Sequence, residues 1–264
     1  RERLERRVAH RPDVEIDAVA PGGGGVERRV DVVRPAFRGG DAQAASGGRH
    51  PLPSREAFAR WLGSVGFSNT MQAVVYDRQG VNYCGRLWWM LKWCGHERVA
   101  VLDGGMPAWY AAGGVVTSGA ATVHEPQVFR LLPARATLVG AQQVHARLDD
   151  PAQTLVDARA EPRFRGDVEP LDPVAGHIPG ALNRPFNTNI DDDGLFKPAV
   201  VLKAELLELL DGRDPSTVVH HCGSGVTAVP NILAMEIAGL GRQALFAGSW
   251  SEWCSDPSRP VARG

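Results

Sequence analysis

The residue best suited to chemistry is Cys222, in the stretch VVHHCGSGVTA over residues 218–228. The β-branched pair Val218–Val219 and the two histidines after it predict a strand. Gly223, Ser224 and Gly225 carry almost no side chain, and Val226 and Thr227 open a predicted helix. In an open α/β sheet, ligands bind where strands end and helices begin. Small residues there let backbone N–H groups turn inward around the sulfur, and such a nest at a helix N-terminus stabilises an anion. It lowers a thiol pKa from about 8.5 toward the range where thiolate is populated at neutral pH. The expected site is therefore Cys222 as nucleophile. Around it the loop Gly223, Ser224, Gly225, Val226 and Thr227 cradles a second anionic sulfur or an oxyanion.

Three other readings of the loop compete with this one. A phosphatase of the cysteine type needs an arginine six residues after the cysteine to grip the phosphoryl oxygens. That position is Ala228, and no arginine occurs between Cys222 and Arg242. A phosphate-binding loop needs Lys before Ser or Thr, whereas Val226 precedes Thr227. The remaining alternative is a buried cysteine that merely packs a tight turn. Neighbouring His220 and His221 read as strand residues on opposite faces. No metal site is expected, because the cysteines (Cys84, Cys94, Cys222 and Cys254) form no CxxC pair and no zinc-ligand spacing.

The elements that must position this loop are legible from His50 onward. SREAFARWLG predicts a helix with Ser54 as its N-cap, and YCGRLWWMLKWCG an apolar helix ending at Gly95. AVVYD and VAVLDGG are strand patterns, and MPAWYAAGG is a short helix. Residues 114–136 form a connector without a period. The pattern then returns: LVGAQQVHARLDD helical, QTLVDAR a strand, LKAELLELLDG a helix, TVVHHC a strand, VTAVPNILAMEIAGLG a helix, ALF a strand and SWSEWC a last helical turn. Strands alternating with helices predict an α/β fold with mainly parallel sheets. The chain also echoes itself. VVYD ending at Asp77 matches VHHC ending at Cys222, and VLDGGMPAW matches LFAGSWSEW, at offsets of about 145 residues. The two copies predict tandem domains, of which only the second carries a thiol at the loop.

Residues 1–49 stand apart, with four consecutive glycines at Gly22–Gly25. They read as a divergent or poorly ordered leader, with VEIDAVA and VERRVDVV as its only strand-like runs. The expected organisation is this leader over 1–49, the remainder of an inactive first domain over 50–113, the connector over 114–136 and a catalytic domain over 137–264. Residues 20–49 are expected to lack regular structure, which leaves the first sheet incomplete and the Cys222 cleft exposed. The formal net charge of −1 argues against a nucleic-acid partner. No run of about 18 apolar residues appears, so no membrane partner is expected. RERLERRVAH lacks the apolar core of a secretory signal, and free thiols suit a cytoplasmic setting.

CGSGVTA, together with DARAEPRFRG, GHIPGALN and GSWSEW, resembles the tandem-domain rhodanese-type sulfurtransferases, and the loop is closest to their 3-mercaptopyruvate branch. The resemblance runs over roughly residues 50–264, including an inactive first domain with Asp77 in the cysteine's place. It implies that Cys222 takes a sulfane sulfur from a small-molecule donor, forms a persulfide, and passes the sulfur to cyanide, thioredoxin or another thiol, without metal or organic cofactor. It implies that Arg163 binds the anionic donor, and that a second arginine follows Glu169–Pro170, where this chain has Leu171. It further implies a His and an Asp from the segment of residues 1–49 behind the loop serine, and neither is placed by the sequence. Arg159 reads as an ion-pair partner of Asp157, His177 as a turn residue, and Trp250 and Trp253 as core. The uncharged loop favours 3-mercaptopyruvate over thiosulfate as donor. The alternative is a rhodanese-like module that binds without catalysing.

Overall fold

The computed structural model describes residues 14–19, 27–32, 44–79, 81, 83–116 and 124–264. Two sheets organise them. The first has the order β2-β1-β3-β4, from β1 (Val14–Val19), β2 (Glu27–Val32), β3 (Gln72–Tyr76) and β4 (Val99–Val101). The second has the order β5-β9-β8-β6-β7, from β5 (Leu138–Val139), β6 (Thr154–Asp157), β7 (Leu182–Asn183), β8 (Val218–His221) and β9 (Ala244–Phe246). Every pairing in the second sheet is parallel. In the first, β3 and β4 run parallel, while β1 lies antiparallel to both β2 and β3. The strand beside β8 is the parallel β6, whereas the strand beside β3 is the antiparallel β1. The first domain thus departs from its copy at the N-terminal side.

The expectation that residues 20–49 lack regular structure fails at Glu27–Val32, which is strand β2, paired residue for residue with β1 from Val14↔Val32 to Val19↔Glu27. Alternation of apolar and charged residues in VERRVDVV suffices for a strand that needs only one apolar face. Residues 20–26 and 33–43 lie outside the described residues.

Helices connect and cover these strands: α1 (Arg55–Ser64), α2 (Cys84–Trp93), α3 (Gly105–Ala111), α4 (Ala141–His145), α5 (Glu161–Arg165), α6 (Ala199–Leu210), α7 (Val229–Ile237) and α8 (Ser249–Trp253). Ser54 caps α1 by accepting from the Ala57 amide at 3.1 Å. The α7 pattern begins three residues later than expected. Val226 and Thr227 belong to the turn, and Pro230 sits in the first helical turn, where its missing N–H costs nothing. LVGAQQVHARLDD is a two-residue strand followed by the short α4, not one helix.

Helix α2 is buried nearly all round, with Leu87, Trp88, Trp89, Met90, Leu91 and Trp93 inside, the signature of a helix between two layers. One continuous apolar cluster joins Phe58, Trp89 and Leu91 of the first domain to Cys222, Val229 and Ile232 of the second. At the α2–α7 crossing a methyl group on Gly85 would stand 3.2 Å from Val229 Cγ1. Gly85→Leu therefore wedges the domains apart. We expect it to cost about 1–3 kcal/mol, read as a lowered thermal unfolding midpoint; an unchanged midpoint would show that this crossing is loose.

Candidate active site

Strand β8 is buried along its length and ends at His221; Cys222, the next residue, is 1% exposed. The loop that follows is held from outside by its carbonyls. The Cys222 and Gly223 carbonyls accept from the Trp250 and Ser251 amides at 3.0 Å each. The Ser224 and Gly225 carbonyls accept from Arg86 Nη1 at 3.2 and 3.1 Å. Arg86 belongs to α2 and also donates to the His50 carbonyl. With four successive carbonyls turned outward, the loop's interior is left to N–H groups, and the Gly225 amide donates to Cys222 Sγ at 3.2 Å. Below the cysteine, Ser249 accepts from the Cys222 amide at 3.1 Å and donates to the Phe246 carbonyl. Ser249 does so at φ +56°, a left-handed conformation that a non-glycine residue holds at a cost of about 1–3 kcal/mol.

Gly223, Ser224, Gly225 and Val226 are buried and Thr227 half-buried; of these, the Gly225 amide is the group shown on the sulfur. Ser224 Oγ lies 2.7 Å from His50 Nδ1; the sequence reading sought a histidine for this serine within residues 1–49, and His50 stands one residue beyond. Its only local signal is its position in RHPLPS, immediately ahead of the α1 cap. Since α2 and the His50 segment both reach the loop, the expected exposed cleft is not found. The first domain supplies a wall in spite of its altered sheet.

Arg163, on α5, points at the same loop. A methyl group on Gly223 would stand 3.4 Å from its Nη1. Its guanidinium is held by Glu169 at 2.7 Å and by Asp172 at 3.3 Å. Asp172 also pairs with Arg49 of the first domain. Glu169 accepts in addition from the Leu171 and Asp172 amides. These donors hold its carboxyl below the usual carboxylate range against the opposing effect of burial. Leu171 itself is 60% exposed and lies on the surface.

The residues read as structural are structural. Arg159 is buried, paired with Asp157 at 2.7 Å, bonded to the Gly176 carbonyl and stacked over the Trp250 ring at 4.7 Å. His177 stacks on Phe164 and bonds its carbonyl. Trp250 and Trp253 are fully buried. Burial pushes His220 down to about 3 and His221 downward, so both stay neutral. Among the described residues no cluster of His, Cys, Asp and Glu could hold a metal ion, and no helix is long and apolar enough to cross a membrane.

In the first domain the loop after β3 holds a carboxylate instead of a sulfur. Asp77 accepts from the Gln79, Tyr83 and Cys84 amides at 2.8, 2.8 and 2.9 Å. The cradle is thus filled by an anion of its own chain. The three other thiols are held protonated. Burial, reinforced by Asp77, pushes Cys84 well up; burial raises Cys94 to about 11; burial raises Cys254 as well.

Gly225 sits at φ +74°, and a Cβ there would fall 2.1 Å from the Ala247 carbonyl oxygen. Gly225→Ala combines strain with a backbone clash. We expect at least about 1–3 kcal/mol of destabilisation in denaturant unfolding; wild-type stability would show that the loop relaxes freely.

Comparison with known proteins agrees with this geometry. The Rhodanese-like domain family matches residues 36–112 and 140–256. The chain is 46% identical over 218 residues to a protein of Pseudomonas aeruginosa named "Probable 3-mercaptopyruvate sulfurtransferase", covering 82% of this chain and 76% of that one. It is 37% identical over 207 residues to the thiosulfate sulfurtransferase of Bos taurus, covering 76% and 69%. Among solved structures it superposes on the Tum1 protein of Saccharomyces cerevisiae with a TM-score of 0.74 at 26% identity, over 84% of this chain and 80% of that one. The chain belongs to the rhodanese family and carries two rhodanese-like domains.

Proposed function

We propose that the protein is a sulfurtransferase that moves a sulfane sulfur from 3-mercaptopyruvate, or from thiosulfate, through a persulfide on Cys222. The observation that carries this reading is the loop in which four carbonyls are held outward while the Gly225 amide meets the sulfur. A module that only bound its partner would need no such cradle. The names of the relatives, which include both 3-mercaptopyruvate and thiosulfate sulfurtransferases, point the same way.

In the first half-reaction the Cys222 thiolate attacks the sulfur of 3-mercaptopyruvate. The S–S bond forms as the donor's C–S bond breaks, and its electron pair passes to the carbon, which takes the proton that the donor thiol gives up. The products are pyruvate and the persulfide anion, which the loop amides stabilise as they would any anion. In this reading the Ser224 hydroxyl, paired with His50 at 2.7 Å, polarises the donor carbonyl as the enolate develops. In the second half-reaction an acceptor thiolate, thioredoxin for example, or cyanide attacks the outer sulfur and releases the Cys222 thiolate. Arg163 orients the donor's charged end. The uncharged Gly223-Ser224-Gly225 loop favours a donor with a carbonyl over the doubly charged thiosulfate. Free thiols throughout fit a reducing, cytoplasmic setting.

Incubation with 3-mercaptopyruvate should add about 32 Da, one sulfur atom, to the peptide holding Cys222. Cys222→Ser should lose both this adduct and turnover while unfolding at the wild-type temperature, and Ser at Cys84, Cys94 or Cys254 should leave both unchanged. The value of kcat/KM for 3-mercaptopyruvate should exceed that for thiosulfate. Turnover in Cys222→Ser would end the mechanism, and the reverse donor order would end the donor assignment.

A further inference from the structure

The stretch GSWSEW carries a carboxylate, Glu252, that the proposed reaction does not use, and it lies against the segment that brings His50 to the loop. Glu252 belongs to α8, the helix whose first turn holds the Cys222 and Gly223 carbonyls. Its carboxylate accepts from the Gly47 amide of the first domain. Two glycines, one from each domain, clear the space it fills. A methyl group on Gly47 would fall 2.8 Å from Glu252 Oε1, and one on Gly248 would overlap Oε2. Gly48, at φ +83°, comes so close to α8 that a Cβ there would stand 2.5 Å from the Gly248 carbonyl oxygen. The next amide along, that of Arg49, donates to Ser251 Oγ at 3.0 Å, and this hydroxyl donates in turn to the Gly248 carbonyl at 3.1 Å. His50 follows, with Nδ1 2.7 Å from Ser224 Oγ.

Adjacent glycines have a large backbone freedom to lose on ordering, and Gly47–Gly48 offers no side chain by which α8 could hold it. The anchoring therefore falls to backbone amides. Helix α8 supplies an acceptor for two of them, Glu252 for Gly47 and Ser251 for Arg49, while Arg86 of α2 holds the His50 carbonyl. We propose that Glu252 is a positioning residue for the Ser224–His50 pair: seated between Gly47 and Gly248, its carboxylate fixes residues 47–50 on the second domain and so sets the His50 ring on the loop serine. Glu252 acts through the segment, not on the donor. Burial raises its carboxyl, while Arg259 and the Gly47 amide lower it, so the amide contact offsets part of the cost of placing a charge there. What the Gly47 amide needs is an acceptor oxygen, which glutamine also offers and alanine does not.

The inference rests on the sulfurtransferase reading, so one of its two readouts requires no sulfur transfer. That readout is the ring-nitrogen NMR signals of His50 in histidine-labelled protein, assigned by their loss in His50→Gln. Ser224→Ala removes the hydroxyl partner and marks where the signals of a ring off the loop serine fall. Glu252→Ala should move the signals toward that position, and Glu252→Gln should leave them near the wild-type one. The second readout compares sulfur loading of Cys222 from saturating 3-mercaptopyruvate and from saturating thiosulfate, so that donor affinity does not enter. Thiosulfate has no carbonyl for Ser224 to polarise. The ratio of the two rates should therefore fall at least about tenfold in Glu252→Ala, part of the roughly 100-fold or more that a positioned proton-transfer group contributes, and recover in Glu252→Gln. Gly47→Ala drives a methyl group toward the carboxylate from the first domain. It should give the same two signatures with α8 unaltered, whether or not Glu252→Ala folds. His50 signals at the wild-type position in folded Glu252→Ala or Gly47→Ala overturn the proposal. So does an equal loss of loading from both donors, which would make Glu252 a support of α8 alone. Failure of every donor to load the wild type would instead refute the sulfurtransferase reading, while the His50 signals still decide the role of Glu252.

Discussion

Four consecutive carbonyls, from Cys222 to Gly225, must each find a donor outside the loop before its amides can serve the sulfur. The structure meets that demand from two directions. The first turn of α8 takes the Cys222 and Gly223 carbonyls with its amides. Arg86, reaching from α2 of the other domain, takes the next two. The loop conformation is therefore a property of the domain pair. It also explains why α2 is buried on nearly every side and why it presents a glycine, Gly85, to Val229 of α7. A bulkier helix would hold Arg86 away from the carbonyls it must reach.

The two copies of the α/β unit each turn backbone amides toward the residue that ends the strand. After β8 the Gly225 amide meets the Cys222 sulfur; after β3 three amides bind the Asp77 carboxylate. The contacts differ in position, but amides at a strand-to-helix turn serve an anion in either case. The first domain carries a carboxylate, not a thiol, at its own loop. Three of its residues reach the loop of the second: Arg86 on the carbonyls, His50 on Ser224, and Arg49 beside Gly223.

Much of this was legible in the sequence, for physical reasons that also mark the limit. Helix α2 announces itself through its run of large apolar residues, β8 through its β-branched lead, and the cysteine loop through the absence of side chains where an anion would sit. Arg163 and Cys222, both named from the sequence, lie at the same loop in the structure. The helix after the loop was read three residues too early, because Val226 and Thr227 carry helix-compatible side chains while positive φ at Gly225 keeps the turn going. Strand β5 was read as helix because two residues give no period. Arg49, His50 and Arg86 carry almost no local mark. Their partners in the second domain lie from 123 to 202 residues away in the chain, so the packing of one domain on the other, not local sequence, brings them together. Strand β2 was underrated because its Arg28–Arg29 pair disguises an alternating face.

Arg86 is the most direct place to strike at this picture, since it donates from the first domain to two of the outward carbonyls. The measurement is the rate at which Cys222 gains one sulfur from saturating 3-mercaptopyruvate, followed by mass spectrometry, in wild type and in Arg86→Met. Saturation removes donor binding from the comparison, and unfolding of the variant is monitored in parallel. If the carbonyls must be held outward for the amides to receive the sulfur, loading slows by at least about tenfold, the effect of losing hydrogen bonds from a charged donor, in a protein that remains folded. Loading at the wild-type rate in folded Arg86→Met would contradict the claim that the first domain sets the cradle.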